Sequence, residues 1–357
     1  MGRVFVTGAS GFIGGHVARR LASEGWAVRT IVRSPGAVAA LERDGVECLV
    51  GDLLDVMGTD RAVAECQAIV HCAAKVGDFG PPSDYLHVNV GGLKNLLAAA
   101  ARVPDLDRFI LMSSLGVYSP RDHFGTAEAE PMADNPLDGY TLSKIESERV
   151  LADWLLSRRS VQGFALRPGF VYGPGDRTVT PKLVQALRNG KFAFFGSGDA
   201  KMNVIFIEHL VNAVRSALTV KSAGPQCGSE LKAYNLTDEI APTRNEFIAA
   251  FCRELQVSVP KIHIPIPIAK LLCWASETVA KLVGAQSGPA LSLAKFKFLA
   301  LNLEFSIERA RRELDYKPSF DLDSAVRQTI AWVKGHESHT DSTSKASGQG
   351  RIVKIAS

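Results

Sequence analysis

Little in this 357-residue chain points toward metal, disulfide or nucleic-acid chemistry. Its six cysteines, Cys48, Cys66, Cys72, Cys227, Cys252 and Cys273, show no Cys-x-x-Cys spacing and no paired histidine cluster accompanies them. Neither a metal site nor a disulfide framework is expected, and reduced thiols are the default. Basic residues number 41 against 37 acidic ones, a formal charge of +4, yet they nowhere gather into an arm for nucleic acid, so no nucleic-acid partner is expected. No positively charged lead or apolar cleavage region precedes the first strand at Arg3–Thr7, which argues against a cleaved export signal and for a cytoplasmic location. The most apolar later stretch, 262–283, is interrupted by Pro265, Pro267, Lys270, Glu277 and Lys281, too often for an unaided membrane span. There is no internal repeat.

What remains is a globular composition, 46% hydrophobic and 22% charged. Short β-rich runs alternate with helical patterns: Val4–Val6, a helix after Gly11, Ala27–Val32, a helix over Val38–Arg43, then Glu47–Val50, Ala68–His71, a helix over Tyr85–Ala101, and Arg108–Met112. Each strand is apolar enough to be buried on both faces. This alternation predicts an α/β fold, a Rossmann-like doubly wound parallel sheet with a smaller, mainly C-terminal substrate lobe. Residues 1–172 should form the dinucleotide-binding domain, with 204–237 returning to it, and 173–203 plus 238–335 the lobe. From 336 to 357 the sequence has too little apolar surface to offset ordering entropy, and a disordered tail is expected.

Two motifs carry chemistry. The glycines of Gly8-x-x-Gly11-x-x-Gly14 follow a strand and open a helix, the context in which a close-approaching backbone and a helix N-terminus bind a pyrophosphate. Gly8, Ser10, Gly11, Phe12, Ile13 and Gly14 are the candidate contacts. Just past the second strand stands Arg33, where a carboxylate would accept from the ribose hydroxyls. Its guanidinium fork suits a 2′-phosphate, so NADP is favoured, with NAD as the alternative. The second motif is Tyr140 and Lys144, four residues apart and therefore on one helix face. An ammonium beside a phenol favours the ionised form, and a phenol drawn down from about 10 becomes a usable acid or base.

With these motifs the chain resembles the extended short-chain dehydrogenase/reductase superfamily over roughly 2–335. The resemblance implies an adenine-edge contact at Asp52 and Leu53, close approach of the backbone at Cys72, Ala73 and Ala74, a phosphate within reach of Lys75, and a structural Asn89. It implies that Ser114 is the catalytic hydroxyl and that Ser113 points elsewhere. Lys144 would also hold the nicotinamide ribose, and Pro168, Gly169 and Val171 would line the nicotinamide end. Ser114 would hydrogen-bond the substrate oxygen and Tyr140 would exchange its proton while hydride passes to or from the nicotinamide. Dimerisation beside the Tyr140 helix is common in the superfamily.

Substrate class follows from what the relatives' branches require. Leu115-Gly116 follows Ser114 where sugar-nucleotide dehydratases place an Asp-Glu pair, and Met202 stands where epimerases carry an arginine for the substrate diphosphate, with Lys201 next to it. Ala73–Gly80, Leu166–Asp176 and the apolar C-terminal half resemble the 3β-hydroxysteroid dehydrogenase branch, which implies a sterol-like or long-chain β-hydroxy or β-keto substrate. A nucleotide-sugar epimerase is the runner-up, and a non-catalytic NAD(P)-binding regulatory or assembly protein the third reading. Ile268, Leu271, Leu272, Ala275, Val279 and Leu282 share one helical face. That stripe reads as core, the alternative being a lid or a peripheral membrane contact through 262–303.

Overall fold

The computed structural model describes residues 2–221, 230–283, 285, 288–319 and 321–347, with side chains as far as 337. Cys227 lies outside the described residues. From the start of the chain, β1 (Arg3–Thr7), α1 (Phe12–Ser23), β2 (Ala27–Val32), α2 (Val38–Arg43), β3 (Val46–Val50), α3 (Val56–Val63) and β4 (Ala68–His71) alternate strictly. α4 (Pro82–Tyr85) runs through π-helical Leu86–Gly91 into α5 (Gly92–Ala100), so the single helix expected over Tyr85–Ala101 is locally unwound ahead of the Gly91-Gly92 pair. Then come β5 (Arg108–Met112), β6 (His123–Thr126), α6 (Gly139–Leu156), β7 (Gln162–Pro168) and β8 (Phe170–Tyr172). Beyond lie α7 (Thr180–Arg188), β9 (Phe194–Phe195), β10 (Val204–Phe206), α8 (Ile207–Thr219), β11 (Leu231–Leu236), α9 (Arg244–Leu255) and β12 (His263–Ile264). The chain continues with α10 (Ile266–Leu282), α11 (Leu293–Ala300), β13 (Leu303–Phe305), α12 (Glu308–Leu314) and α13 (Leu322–Ser347).

Seven strands form one sheet in the order β11-β7-β5-β4-β1-β2-β3, and every pairing is parallel. β4, β5 and β7 are buried along their whole length, as strands covered by helices on both faces must be. Alternation sorts their side chains: Val4, Val6, Ile110 and Met112 join the core on one face, Phe5, Phe109 and Leu111 the core on the other. Chain order reverses between β1 and β4, whose ends pair Thr7 with His71. A crevice opens there at the strands' C-terminal ends, the place where such sheets take ligands.

Outside this sheet, three two-stranded parallel pairings join β8 with β10, β9 with β12 and β6 with β13. α13 runs from Leu322 to Ser347; residues 348–357 lie outside the described ones. One expectation changes here. The apolar stripe of α10 is not core: Leu271 is 60% and Leu282 80% exposed, while the small Ala269, Cys273 and Ala280 are buried. Helical period identifies a stripe but not which side the body covers. Among the described residues no helix is long and apolar enough to cross a membrane.

Candidate active site

The turn after β1 needs its glycines for reasons of space. Gly8 adopts φ 72° and a Cβ there would meet the backbone of Ala73 at 2.9 Å, while a Cβ on Gly14 would come within 2.4 Å of the Gly8 carbonyl oxygen. Gly11 caps α1 without a side chain, and no acidic residue occupies the first turn. The leading N–H groups of α1 are therefore free for an anion. Gly14→Ala is expected to weaken nucleotide binding at least ~10-fold and to lower the melting temperature, because the clash is with backbone; an unchanged titration with NAD(P)H would contradict this packing.

Around this turn the structure brings Gly8, Ser10, Gly11, Arg33, Asp52, Leu53, Cys72, Ala73, Ala74 and Lys75 onto one cleft of about 400 Å³. Asp52 accepts from the Leu54 amide at 2.9 Å, and Arg33 is exposed. Lys75 is less free than expected: its ammonium pairs with Asp84 at 2.8 Å and lies over the Tyr85 ring. Phe12, Ile13 and Gly14 form the first turn of α1 instead of the cleft wall. A glycine cradle beside an uncapped helix end fits a dinucleotide. A larger cavity of about 840 Å³, bordered by Asp238, Asn245, Arg253 and Asp323, contains none of these residues.

The sequence reading missed the wall's internal bracing. Thr7 Oγ1 bonds His71 Nδ1 at 2.9 Å and accepts from the Ala73 amide at 3.0 Å, holding the β4 turn against the glycine turn. Burial lowers the His71 pKa to about 3, so its imidazole is neutral; burial pushes the Cys72 thiol up to about 12, which makes it inert.

The end of β5 leads to Ser114 and faces the start of α6, which carries Tyr140 and Lys144. Ser114 leaves the strand and caps a short 3₁₀ turn, its Oγ accepting from the Gly116 amide at 3.0 Å. That turn lies against the start of α6, where a Cβ on Gly116 would be 3.6 Å from Thr141 Oγ1. Asp138 caps α6 by accepting from the Thr141 amide at 2.7 Å, and bare Gly139 lets the helix start press against Pro82 and Tyr85. Lys144, buried, donates to the Met112 carbonyl at 2.6 Å. Its ammonium sits 5.5 Å from the centroid of the Tyr140 ring.

The electrostatics differ from expectation. Lys144 does not draw the Tyr140 phenol down: burial pushes it well above its ordinary value and Asp138 adds to the rise. The physical reason is that the ammonium faces the ring and gives a hydrogen bond to a backbone carbonyl. Burial also lowers the Lys144 pKa to about 8, opposed by Cys72 and Glu148.

Residues 4–236 match the model of the NAD dependent epimerase/dehydratase family. The chain belongs to that family. This epimerase/dehydratase-family chain is 27% identical over 334 residues to the 2-alkyl-3-oxoalkanoate reductase of Shewanella oneidensis, an alignment covering 92% of the chain and 85% of that relative. It is 28% identical over 344 residues to a 3 beta-hydroxysteroid dehydrogenase/Delta 5-->4-isomerase of Mycobacterium tuberculosis, covering 93% and 90%. The UDP-glucuronic acid 4-epimerase of Bacillus cereus, solved with UDP-glucuronic acid and NAD, matches with a TM-score of 0.72 at 19% identity, over 94% of this chain and 99% of that one. That last likeness is one of fold.

In this family member several supporting residues lie outside the motifs. Asn89 donates to Ser143 Oγ at 2.8 Å and bonds both the amide and carbonyl of Lys75, so it clamps the β4 loop to α6. Ser113 points away from the cleft and donates to Glu148, which is buried with Arg167 in a bidentate pair. Arg167 donates onward to Tyr118 Oη at 2.8 Å, and Tyr118 to Asn235 at 2.8 Å. Gly169 has a packing reason of its own: a Cβ there would strike the Asn203 carbonyl, to which the Phe170 amide donates. Pro168 and Val171 flank it on β7 and β8. Lys297, on α11, donates to the carbonyls of Gly116 and Tyr118, each at 2.9 Å, and burial lowers its pKa to about 8. No spacing rule links position 297 to 116, so only the folded chain reveals that brace.

Proposed function

We propose that this chain is an NAD(P)-dependent oxidoreductase of the extended short-chain type, acting on a hydrophobic secondary alcohol or ketone, sterol-like or of the long-chain β-hydroxy/β-keto kind. The observation that carries the reading is the meeting of the Ser114 turn, Tyr140 and Lys144 at the C-terminal end of β5, in the same sheet whose switch point forms the glycine cleft. The nicotinamide, when bound, supplies or takes up the hydride. Ser114 Oγ donates to the substrate oxygen, Tyr140 Oη passes or receives its proton, and Lys144 holds positive charge beside them. A phenol held above its ordinary value keeps its proton at neutral pH, which suits the acid role in ketone reduction. The two named oxidoreductases similar to the chain over nine-tenths of its length support the same substrate class.

Epimerization is the weaker reading. Met202, at the position where a diphosphate arginine would stand, is 5% exposed, and Lys201 is engaged by Glu304 at 2.5 Å. The deciding experiment is a substrate panel with the purified protein. Steroid or β-keto compounds should change NADPH absorbance, whereas turnover of a UDP-sugar without net cofactor change would overturn the proposal.

NADP is the favoured cofactor because Arg33 lines the cleft beside Asp52, exposed and without a hydrogen-bond or ion-pair partner among the described residues. A charge-assisted contact to a 2′-phosphate is worth about 1.5–3 kcal/mol, so Arg33→Asp should weaken NADPH roughly 10- to 100-fold while sparing NADH. Equal NADPH affinity in that variant would return the preference to NAD.

A further inference from the structure

α10 is docked the wrong way round for an ordinary surface helix. Its small residues Ala269, Cys273 and Ala280 face the body and are buried, whereas Ile268, Leu271, Leu272, Val279 and Leu282 are between 43% and 80% exposed. At 100° per residue those five fall on one continuous outward arc. Trp274, 55% exposed, and the exposed Lys270 and Lys281 lie along one border of that arc. Lys261 and Ile262, just ahead of the helix in sequence, are also exposed. Between 259 and 300 the only carboxylate is Glu277, and it is already paired with Lys281 at 2.7 Å.

We propose that α10 seats this protein on an anionic lipid bilayer, with the aliphatic arc among the acyl chains, Trp274 at the boundary and the lysines on headgroup phosphates. Charge chooses the bilayer over a second copy of the chain. Across a two-fold interface the same patch faces itself, so Lys270 and Lys281 of both copies would share one seam in which the one carboxylate that 259–300 supplies per copy, Glu277, is already taken by Lys281. The seat also adjoins the chemistry: α10 packs on α11, and Lys297 of α11 holds the carbonyls beside Ser114. A lipid-like substrate would then enter from the surface on which the enzyme rests.

The test uses the full chain in flotation with phosphatidylglycerol/phosphatidylcholine vesicles and with phosphatidylcholine alone, with Trp emission recorded in parallel. Because no turnover is read, failure here is separate from failure of the redox reading. The expected result is binding to the anionic vesicles, at least ~10-fold weaker on the neutral ones and reduced by salt. Leu271→Glu with Leu282→Glu should abolish it while NADPH binding stays intact. Lys270→Gln with Lys281→Gln, which keeps the apolar arc, should lose the preference for anionic lipid. Absence of binding by the native chain overturns the proposal, as does binding indifferent to the leucine substitutions. A leucine variant that turns a native dimer into a monomer without vesicles also overturns it, by assigning the face to a second copy.

Discussion

Tyr140→Phe should reduce kcat by about 10²- to 10⁴-fold, the range of a lost general acid or base, while leaving NADPH affinity and the melting temperature nearly unchanged. The hydroxyl has no hydrogen-bond partner among the described residues, so its removal unbalances nothing in the fold, and the ring stays under the Lys144 ammonium. Single-turnover absorbance with the best ketone of the panel measures the effect. Turnover within tenfold of the native enzyme would remove Tyr140 from the proton path. The direction of the phenol's shift adds a pH signature. Burial raises its pKa, so the protonated acid persists across neutral pH and the reduction rate should not fall there through Tyr140. Lys144, lowered to about 8 by burial, loses its charge as pH rises through that value, and alkaline loss of activity should follow it in the nucleotide-free enzyme's kcat/KM profile.

Glu148→Ala should be the most destabilising single change among the residues around the site, costing about 3–5 kcal/mol. The carboxylate accepts from both Arg167 Nε at 2.9 Å and Nη2 at 2.6 Å, and the two side chains are only 3% and 6% exposed. Deleting it strands a guanidinium and the Ser113 hydroxyl in the interior. A melting temperature lower by on the order of 10 °C is expected. The double variant Glu148→Met, Arg167→Met should recover much of that loss, since replacing both charges removes the uncompensated one. If the double variant melts no higher than the single one, packing and not charge is the reason for the pair.

Much of the fold was legible because its rules are local. Each βαβ unit declares itself through a doubly apolar strand followed by an amphipathic helix, and the glycines at 8 and 14 sit where φ and backbone contact leave no room for a side chain. The candidate site was legible in its ordered parts: the cleft gathers the Gly8 turn, Arg33, Asp52 and Cys72–Lys75. What sequence could not supply is direction. Four-residue spacing put Lys144 on the Tyr140 side of α6 but could not say that its ammonium would turn to the Met112 carbonyl. Period marked the stripe of α10 yet not its outward orientation.

The two hydrogen bonds from Lys297 to the turn after Ser114 bear on how such enzymes can be recombined. The family model's match ends at 236, which makes that position look like a natural seam for grafting a new substrate lobe onto an old nucleotide domain. The seam is not clean. A graft made there would exchange, along with the specificity surface, the lysine that steadies the hydroxyl-bearing turn, so a donor lobe must bring an equivalent cation or the hybrid inherits a slack catalytic loop.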